Sequence, residues 1–265
     1  MRKILLATPV KGNLPPRFVS SMVQLLCKGI PDVAFDIAFL EGEPINFARN
    51  SLANHAITSG FDEIIWWDAD LKPTLEQLTK LISHRMPIVC ALYPKRDVVT
   101  QFHVQSTKDG TQISGMQEAD LTAIGFSKMT VEALKQIADF HPYLSCSFQN
   151  NGQAALKHHN LFQMEIKGPN SAEGKLERIK KVVGEAHGPS GDVDAAAIEE
   201  ILNDSDYSEN RLYGEDYSFC MLARAAGVKL MVDTSLCITH SGETDFHIAT
   251  ETLKKELAQE WRKEK

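Results

Sequence analysis

The strongest constraint on what this chain can fold into is the alternation in its first third, where short apolar stretches of strand length take turns with helical patterns. "KILLATP" (3–9) predicts a buried strand, and Pro15-Pro16 then opens a helix to about Lys28, since proline suits a first helical turn. "VAFDIAFL" (33–40) predicts a second strand. "NFARNSLANHAITSG" (46–60) predicts a helix, with Asn46 as N-cap and Gly60 as stop. "DEIIWW" (62–67) is a third strand, a helix fills about 74–84, and "PIVCALY" (87–93) is a fourth strand. Strands that are apolar throughout need cover on both sides, so this order predicts an α/β fold with a parallel sheet and helices on both faces. Ligands in such sheets bind beyond the carboxyl ends of the strands. Asp68 and Asp70 stand at such an end.

The rest is less regular. "VVTQFHVQ" and "TQIS", joined through Lys108-Asp109-Gly110, predict a hairpin. Residues 119–140 predict a strand, a turn at Gly125 and a helix capped near Thr130. Residues 141–211 read as a loop-rich, partly mobile excursion with a short helix around 193–202. Over 213–242 an amphipathic helix precedes strands near 229–233 and 236–239, and the tail 243–265 predicts a charged terminal helix. One domain is expected for the 265 residues.

Compartment and partner class are bounded by composition. "MRKILLATPV" has an apolar core of only strand length, with no cleavage site, and no apolar run approaches the ~20 residues of a membrane helix. The five cysteines (27, 90, 146, 220, 237) form no CxxC, and Cys90, Cys220 and Cys237 sit in apolar runs, as buried free thiols of a reducing compartment do. A cytoplasmic location is expected. The formal charge of −7 gives no general basic footprint for nucleic acid, although a local groove can still be positive.

Asp68-Ala69-Asp70 is the strongest chemical signal. Two carboxylates one residue apart, just past a strand, suit a hard divalent cation such as Mg²⁺ or Mn²⁺, which shares its sphere with substrate phosphates. Aspartates at strand ends also cap turns, and both readings stand at this level. "GED" (214–216) opens a helix, where acids are favoured by the helix dipole alone; the functional reading is a general base for an acceptor hydroxyl. His240 in "THSG" could complete a coordination sphere. Arg49 in "FARN" and Lys95-Arg96 in "YPKR" could complement a diphosphate. A phosphatase of the haloacid dehalogenase type also ends an apolar strand in DxD, but position 72 is Lys72 where that type places Thr or Val.

In order and spacing, "ATPV", "FARN", "IIWWDADL", "IVCALYPKR", "AIGFSKMTVEAL", "GEDYSFCMLARAAGVKLMVD" and "THSG" together resemble the GT-A fold glycosyltransferases. The likeness covers the N-terminal half and 213–242, leaving about 141–211 outside it. It implies a Rossmann-type, mostly parallel sheet with a loop-rich acceptor-side insertion. By that likeness 1–140 would bind the nucleotide-sugar, 141–211 would face the acceptor and 212–242 would carry catalysis. Carried over residue by residue, it makes Asp68, Asp70 and His240 the metal set, with Asp70 the principal ligand and Asp68 also near the donor ribose. Thr8, Pro9 and Val10 would line the base and ribose pocket, Arg49 and Arg96 would meet the donor, and Gly125 and Phe126 would lie beneath the sugar. Asp216 would be the base, with Glu215 beside it. The implied activity is Mn²⁺- or Mg²⁺-dependent transfer of a hexose or pentose from a nucleoside-diphosphate sugar to a hydroxyl. "CMLARAAG" stands where many inverting members have a QxxRW element, which leaves inversion against retention open.

Other readings stay open. A nucleotidyltransferase would normally show a Gly-rich loop after the first strand, and "TPVKGNLPPR" has one Gly. A non-catalytic nucleotide-sugar-binding module is the rival from another class. The acceptor, whether glycan, lipid-linked or a modified base in DNA, is not specified; "KLERIKK" suits an anionic acceptor, or simply a charged amphipathic helix.

Overall fold

The structure, a computed structural model, describes residues 1–94, 104–106, 112–113, 115–148, 156–185, 194–206, 208–241 and 245–246. The first strand β1 (Arg2–Val10), α1 (Pro16–Lys28), β2 (Val33–Glu41), α2 (Ile45–Thr58) and β3 (Glu63–Trp67) follow the expected alternation. After them come β4 (Leu71–Lys72), α3 (Leu75–Ser83), β5 (Ile88–Leu92), β6 (Val104–Ser106), β7 (Gln112–Ile113), β8 (Met116–Thr122), β9 (Phe126–Thr130) and α4 (Val131–Phe140). The sheet order is β2-β1-β3-β9-β5-β14-β8-β6, with β7 also on β8; β14 is Leu230–Cys237. Strands β2, β1, β3, β5 and β14 run one way, while β9 and β8 run against them. This mixed α/β architecture, with seven helices among the described residues, is consistent with the GT-A-like, Rossmann-type fold expected.

Every residue of "EIIWW" in β3 is buried, as a central strand covered on both faces must be. Period-two geometry sends its two tryptophans to opposite layers. Trp66 meets Phe162 edge-on at 5.3 Å, and Trp67 meets Phe18 at 5.3 Å on the side of α1 and α3.

Several sequence expectations need correction. The sheet is not parallel throughout: β9, "FSKMT", which the expected turn at Gly125 and helix capped near Thr130 left out, lies antiparallel between the third and fourth strands. Its pattern hid it: Ser127 and Lys128 are polar yet fully buried, Lys128 being held by Glu63 at 3.1 Å and the His84 carbonyl at 2.6 Å. Asn46 lies inside α2, whose N-cap is Pro44, and Gly60 (φ 73°) follows the C-cap Ser59. The expected hairpin partners β6 and β7 both pair with β8, and the turn 108–110 lies outside the described residues. The two late strands are one bulged strand, β14, followed by β15 (Thr239–Ser241). In the tail, Asp245–Phe246 forms a short strand, β16, against β15, and residues 247–265 lie outside the described residues. All five thiols are free, but Cys237 is half-buried rather than buried.

The described residues of the excursion carry more regular structure than the pattern suggested. It holds β10 (Ser145–Phe148), β11 (Leu156–His159), β12 (Glu165–Lys167), α5 (Ala172–Glu185), α6 (Ala195–Asn203) and β13 (Arg211–Tyr213). Two asparagines one turn apart on α2 clamp it. Asn50 exchanges two hydrogen bonds with the backbone of Phe162, and Asn54 two with that of His159, all at 2.8 Å. The remaining helix, α7 (Glu215–Ala225), packs on β8 and carries the late acidic pair at its first turn.

Candidate active site

Strand ends and one helix start converge on a single pocket of about 510 Å³, lined by Asp68, Asp70, Tyr93, Glu215, Asp216 and His240 among others. The turn after β3 is built by local hydrogen bonds. Leu71 N–H donates to the Asp68 carbonyl at 3.0 Å, and the Trp67 indole donates to the Leu71 carbonyl at 3.1 Å. Asp68 N–H donates to the Gly125 carbonyl at 2.8 Å, and Ser241 N–H to the Asp70 carbonyl at 2.7 Å. Both aspartates are thereby tied to segments distant in sequence.

His240 is fixed by a backbone acceptor. Its Nδ1 lies 2.7 Å from the Pro94 carbonyl, and its ring meets Tyr93 edge-on at 5.5 Å. A carbonyl only accepts, so Nδ1 carries a proton, and in the neutral ring Nε2 presents its lone pair 3.6 Å from Asp70 Oδ2. That backbone bond is the outer-shell orientation a ligating imidazole uses. Among the described residues no group of three or more His, Cys, Asp or Glu is placed to hold a metal alone. Of the expected set, Asp70 and His240 stand close enough to share a divalent cation, whose sphere phosphate oxygens and water would have to complete, while Asp68 Oδ2 is engaged by Arg49 at 3.0 Å.

Arg49 occupies the floor beneath the acids. It is 2% exposed, with Nη2 at 3.0 Å from Asp68 Oδ2, Nε at 3.6 Å from Glu215 and Nη2 at 3.6 Å from Asp216. Its guanidinium lies 5.3 Å from the Trp66 ring, a cation–π contact in a dry setting. Burial pulls its pKa down, but the three carboxylates outweigh that and raise it. One cation therefore serves three acids. Burial pushes the Asp68 carboxyl up, and Arg49 only partly counters this. Burial also pushes Asp216 up to about 7, with Glu215 and Asp68 adding to the rise while Arg49 and the Ile124 N–H, 3.2 Å away, oppose it. Asp68 Oδ1 and Asp216 Oδ1 accept no hydrogen bond from the described residues.

A second groove of about 800 Å³ shares Asp68 and Asp70 with the pocket and runs past Ala69 to Pro9, Val10, Lys11 and Pro44. Thr8 does not line it; that residue is fully buried behind. The structure thus brings together Asp68, Asp70, Glu215, Asp216 and His240, sets Arg49 below them and places Pro9 and Val10 alongside. Lys95, Arg96 and Gly242 lie outside the described residues. Phe126 is fully buried, packed edge-on against Trp67 at 6.0 Å.

Sequence reasoning passed over Tyr93. Its hydroxyl accepts the Gly125 N–H at 2.8 Å, and its place at the end of an apolar strand was the signal that could have found it. Gly125 itself has no room for a side chain: a Cβ there would come within 2.5 Å of Asp68 Oδ2 and 2.6 Å of the Tyr93 hydroxyl. Gly125→Ala is expected to displace Asp68 and lower turnover about 100-fold, the typical cost of a misplacement near 1 Å. Turnover of the variant, with its circular dichroism as a check on folding, measures this.

No family model matches the chain, and no curated protein matches it in sequence. Solved structures do match. A197 from STIV is 15% identical, with 51% of this chain and 68% of that chain covered and a TM-score of 0.37. The catalytic domain of Drosophila β1,4-galactosyltransferase 7, in complex with xylobiose, is 21% identical, with 52% of each chain covered and a TM-score of 0.33. This chain therefore spans about half the length of the latter. Neither score supports a residue correspondence. Among the described residues no helix is long and apolar enough to cross a membrane.

Proposed function

We propose that this protein is a glycosyltransferase that moves a hexose or pentose from a nucleoside-diphosphate sugar to an acceptor hydroxyl in the presence of Mn²⁺ or Mg²⁺. One observation carries the reading: the Asp68/Asp70 turn, the oriented His240 and the Glu215/Asp216 helix start all line one pocket, which opens beside a longer groove. A strand-end turn that merely capped a helix would have no cause to face a second acidic pair across a cavity.

Asp216 is the base. A carboxyl raised to about 7 is partly ionised at neutral pH and basic enough to take a hydroxyl proton. As the acceptor oxygen bonds to the anomeric carbon, the bond to the diphosphate oxygen breaks, that oxygen leaves with the electron pair, and Asp216 holds the acceptor proton. Attack from the opposite face gives inversion. Glu215, on the next residue, contacts acceptor or sugar. Arg49 keeps the acid cluster in place from below. Pro9 and Val10 border the groove for base and ribose, and Asp70 with His240 would hold the cation. When bound, that cation would neutralise charge developing on the departing diphosphate. Lys95 and Arg96 are assigned to the same diphosphate by sequence alone.

The test is thermal stabilisation by nucleoside-diphosphate sugars with and without Mn²⁺. A ligand present at about 100 times its dissociation constant adds about 2.7 kcal/mol, so the melting shift is large. The expected result is a shift that needs both components, accompanied by nucleoside-diphosphate release once an acceptor is supplied. Asp70→Ala is expected to abolish the cation-dependent part while leaving the melting temperature of the unliganded protein nearly unchanged. A shift without turnover with any acceptor would favour a binding module, and pyrophosphate release from a nucleoside triphosphate would favour a nucleotidyltransferase. No cation-dependent shift with any donor removes the reading.

A further inference from the structure

The outermost strand of the large sheet, β2, is paired on one side only; among the described residues no strand meets its other edge. Burial reflects this. No residue of β2 is fully buried, although seven of the nine in β1 beside it are. The Asp32 carbonyl accepts from Arg2 N–H, and Gly42 N–H donates to the Val10 carbonyl, so even-numbered residues face β1. Phe35, Ile37 and Phe39 therefore turn their backbone N–H and C=O groups outward. The strand pairs with β1 over nine residues without a register shift and contains no proline. Long regular edges of this kind recruit another strand unless something covers them.

Helix α1 adds a second surface on the same side. Val19, Val23 and Leu26 are 41%, 49% and 53% exposed, and each directly follows a buried residue, Phe18, Met22 or Leu25. One residue is about 100° of helical turn, so the stripe runs along one flank of α1. The right-handed crossover from β1 to β2 turns that flank toward the open edge and away from α3.

We propose that a second copy of this chain occupies this edge, with β2 pairing antiparallel to its own copy about a two-fold axis through Ile37. In that register Ile37 faces its counterpart and Phe35 faces the partner's Phe39. The only mid-strand charge, Asp36, falls opposite the partner's Ala38, so no like charges oppose. The three outward-facing residues are the ones this register would hydrogen-bond. The helix obeys the same axis. Phe18 touches Phe39, with ring centroids 6.3 Å apart. Five residues down the helix, about 7.5 Å, Val23 comes level with Ile37, which lies about 7 Å down the strand from Phe39. Strands about 4.8 Å apart place two such helices about 10 Å apart, a normal packing distance. Val23 then meets its counterpart and Val19 meets the partner's Leu26. Lys28, at the foot of α1, approaches the partner's Glu41.

Light scattering on the full chain should give twice the 29.5 kDa chain mass. Val23→Glu, at a half-exposed position, should give a monomer with unchanged circular dichroism. In a Cys27→Ser background, Ile37→Cys should form a covalent dimer on oxidation, while Asp36→Cys, on the other face and off the axis, should not. A monomeric wild type overturns the proposal, whether its edge stays open or is covered by residues 247–265. So does a dimer that Val23→Glu leaves intact and Ile37→Cys fails to link. A cross-linked dimer surviving Val23→Glu overturns the helix contact alone, and dissociation by Val23→Glu without a cross-link overturns the strand register.

Discussion

Arg49→Met is expected to destabilise the protein by about 3–5 kcal/mol at pH 8, the range seen when one partner of a buried ion pair is removed. Methionine fills much of the same volume, so the loss is chiefly electrostatic. Without the guanidinium, Asp68, Glu215 and Asp216 face one another and each loses its ion pair with Arg49, and two of them have an oxygen that accepts no hydrogen bond from the described residues. The penalty should shrink as pH falls, because protonation removes the uncompensated charges. Denaturant titrations at pH 5.5 and pH 8 measure both the size and the trend. A loss of the same size at both values would mean that Arg49 contributes packing rather than charge balance.

Asp216→Asn is expected to lower turnover by about 10²–10⁴-fold, the usual contribution of a general base. Stability should move the other way. Folding raises this carboxyl from 3.8 to about 7, so the native state holds its proton where the unfolded chain has released it. The resulting stability is fully present below about pH 4 and is lost as pH rises through 7. Asparagine carries no such charge. The variant should match the wild type in acid and exceed it at pH 8, by roughly 1–2 kcal/mol once the 23% exposure of the side chain is allowed for. The rise of kcat/KM through about pH 7 should vanish in the variant. Loss of activity with no gain in stability at pH 8 would place the base elsewhere, and Glu215→Gln is then the variant to examine. A gain of stability on losing a site residue is what a strained, functional carboxylate produces.

What the residues determine by themselves is local. Proline at the start of α1, the Thr74 and Thr130 caps and the apolar run Ile64–Trp67 within "EIIWW" act over a few neighbours, so most strand and helix positions in the first half were legible without a structure. So was the place of Asp68 and Asp70, because a strand's carboxyl end is a property of the strand. Tertiary structure decided the rest through contacts across long sequence distances. Strand β9 enters between β3 and β5 because Glu63 and the His84 carbonyl satisfy its buried Lys128, a pairing no window of sequence contains. The seating of His159 and Phe162 comes from Asn54 and Asn50 gripping a backbone more than 100 residues away. His240 owes its tautomer to the Pro94 carbonyl, and Arg49 owes its charge balance to acids from the turn after β3 and from α7. Caps and periods are written in neighbouring residues. Ion pairing in a dry cleft depends on which distant side chains the fold brings within 3–4 Å.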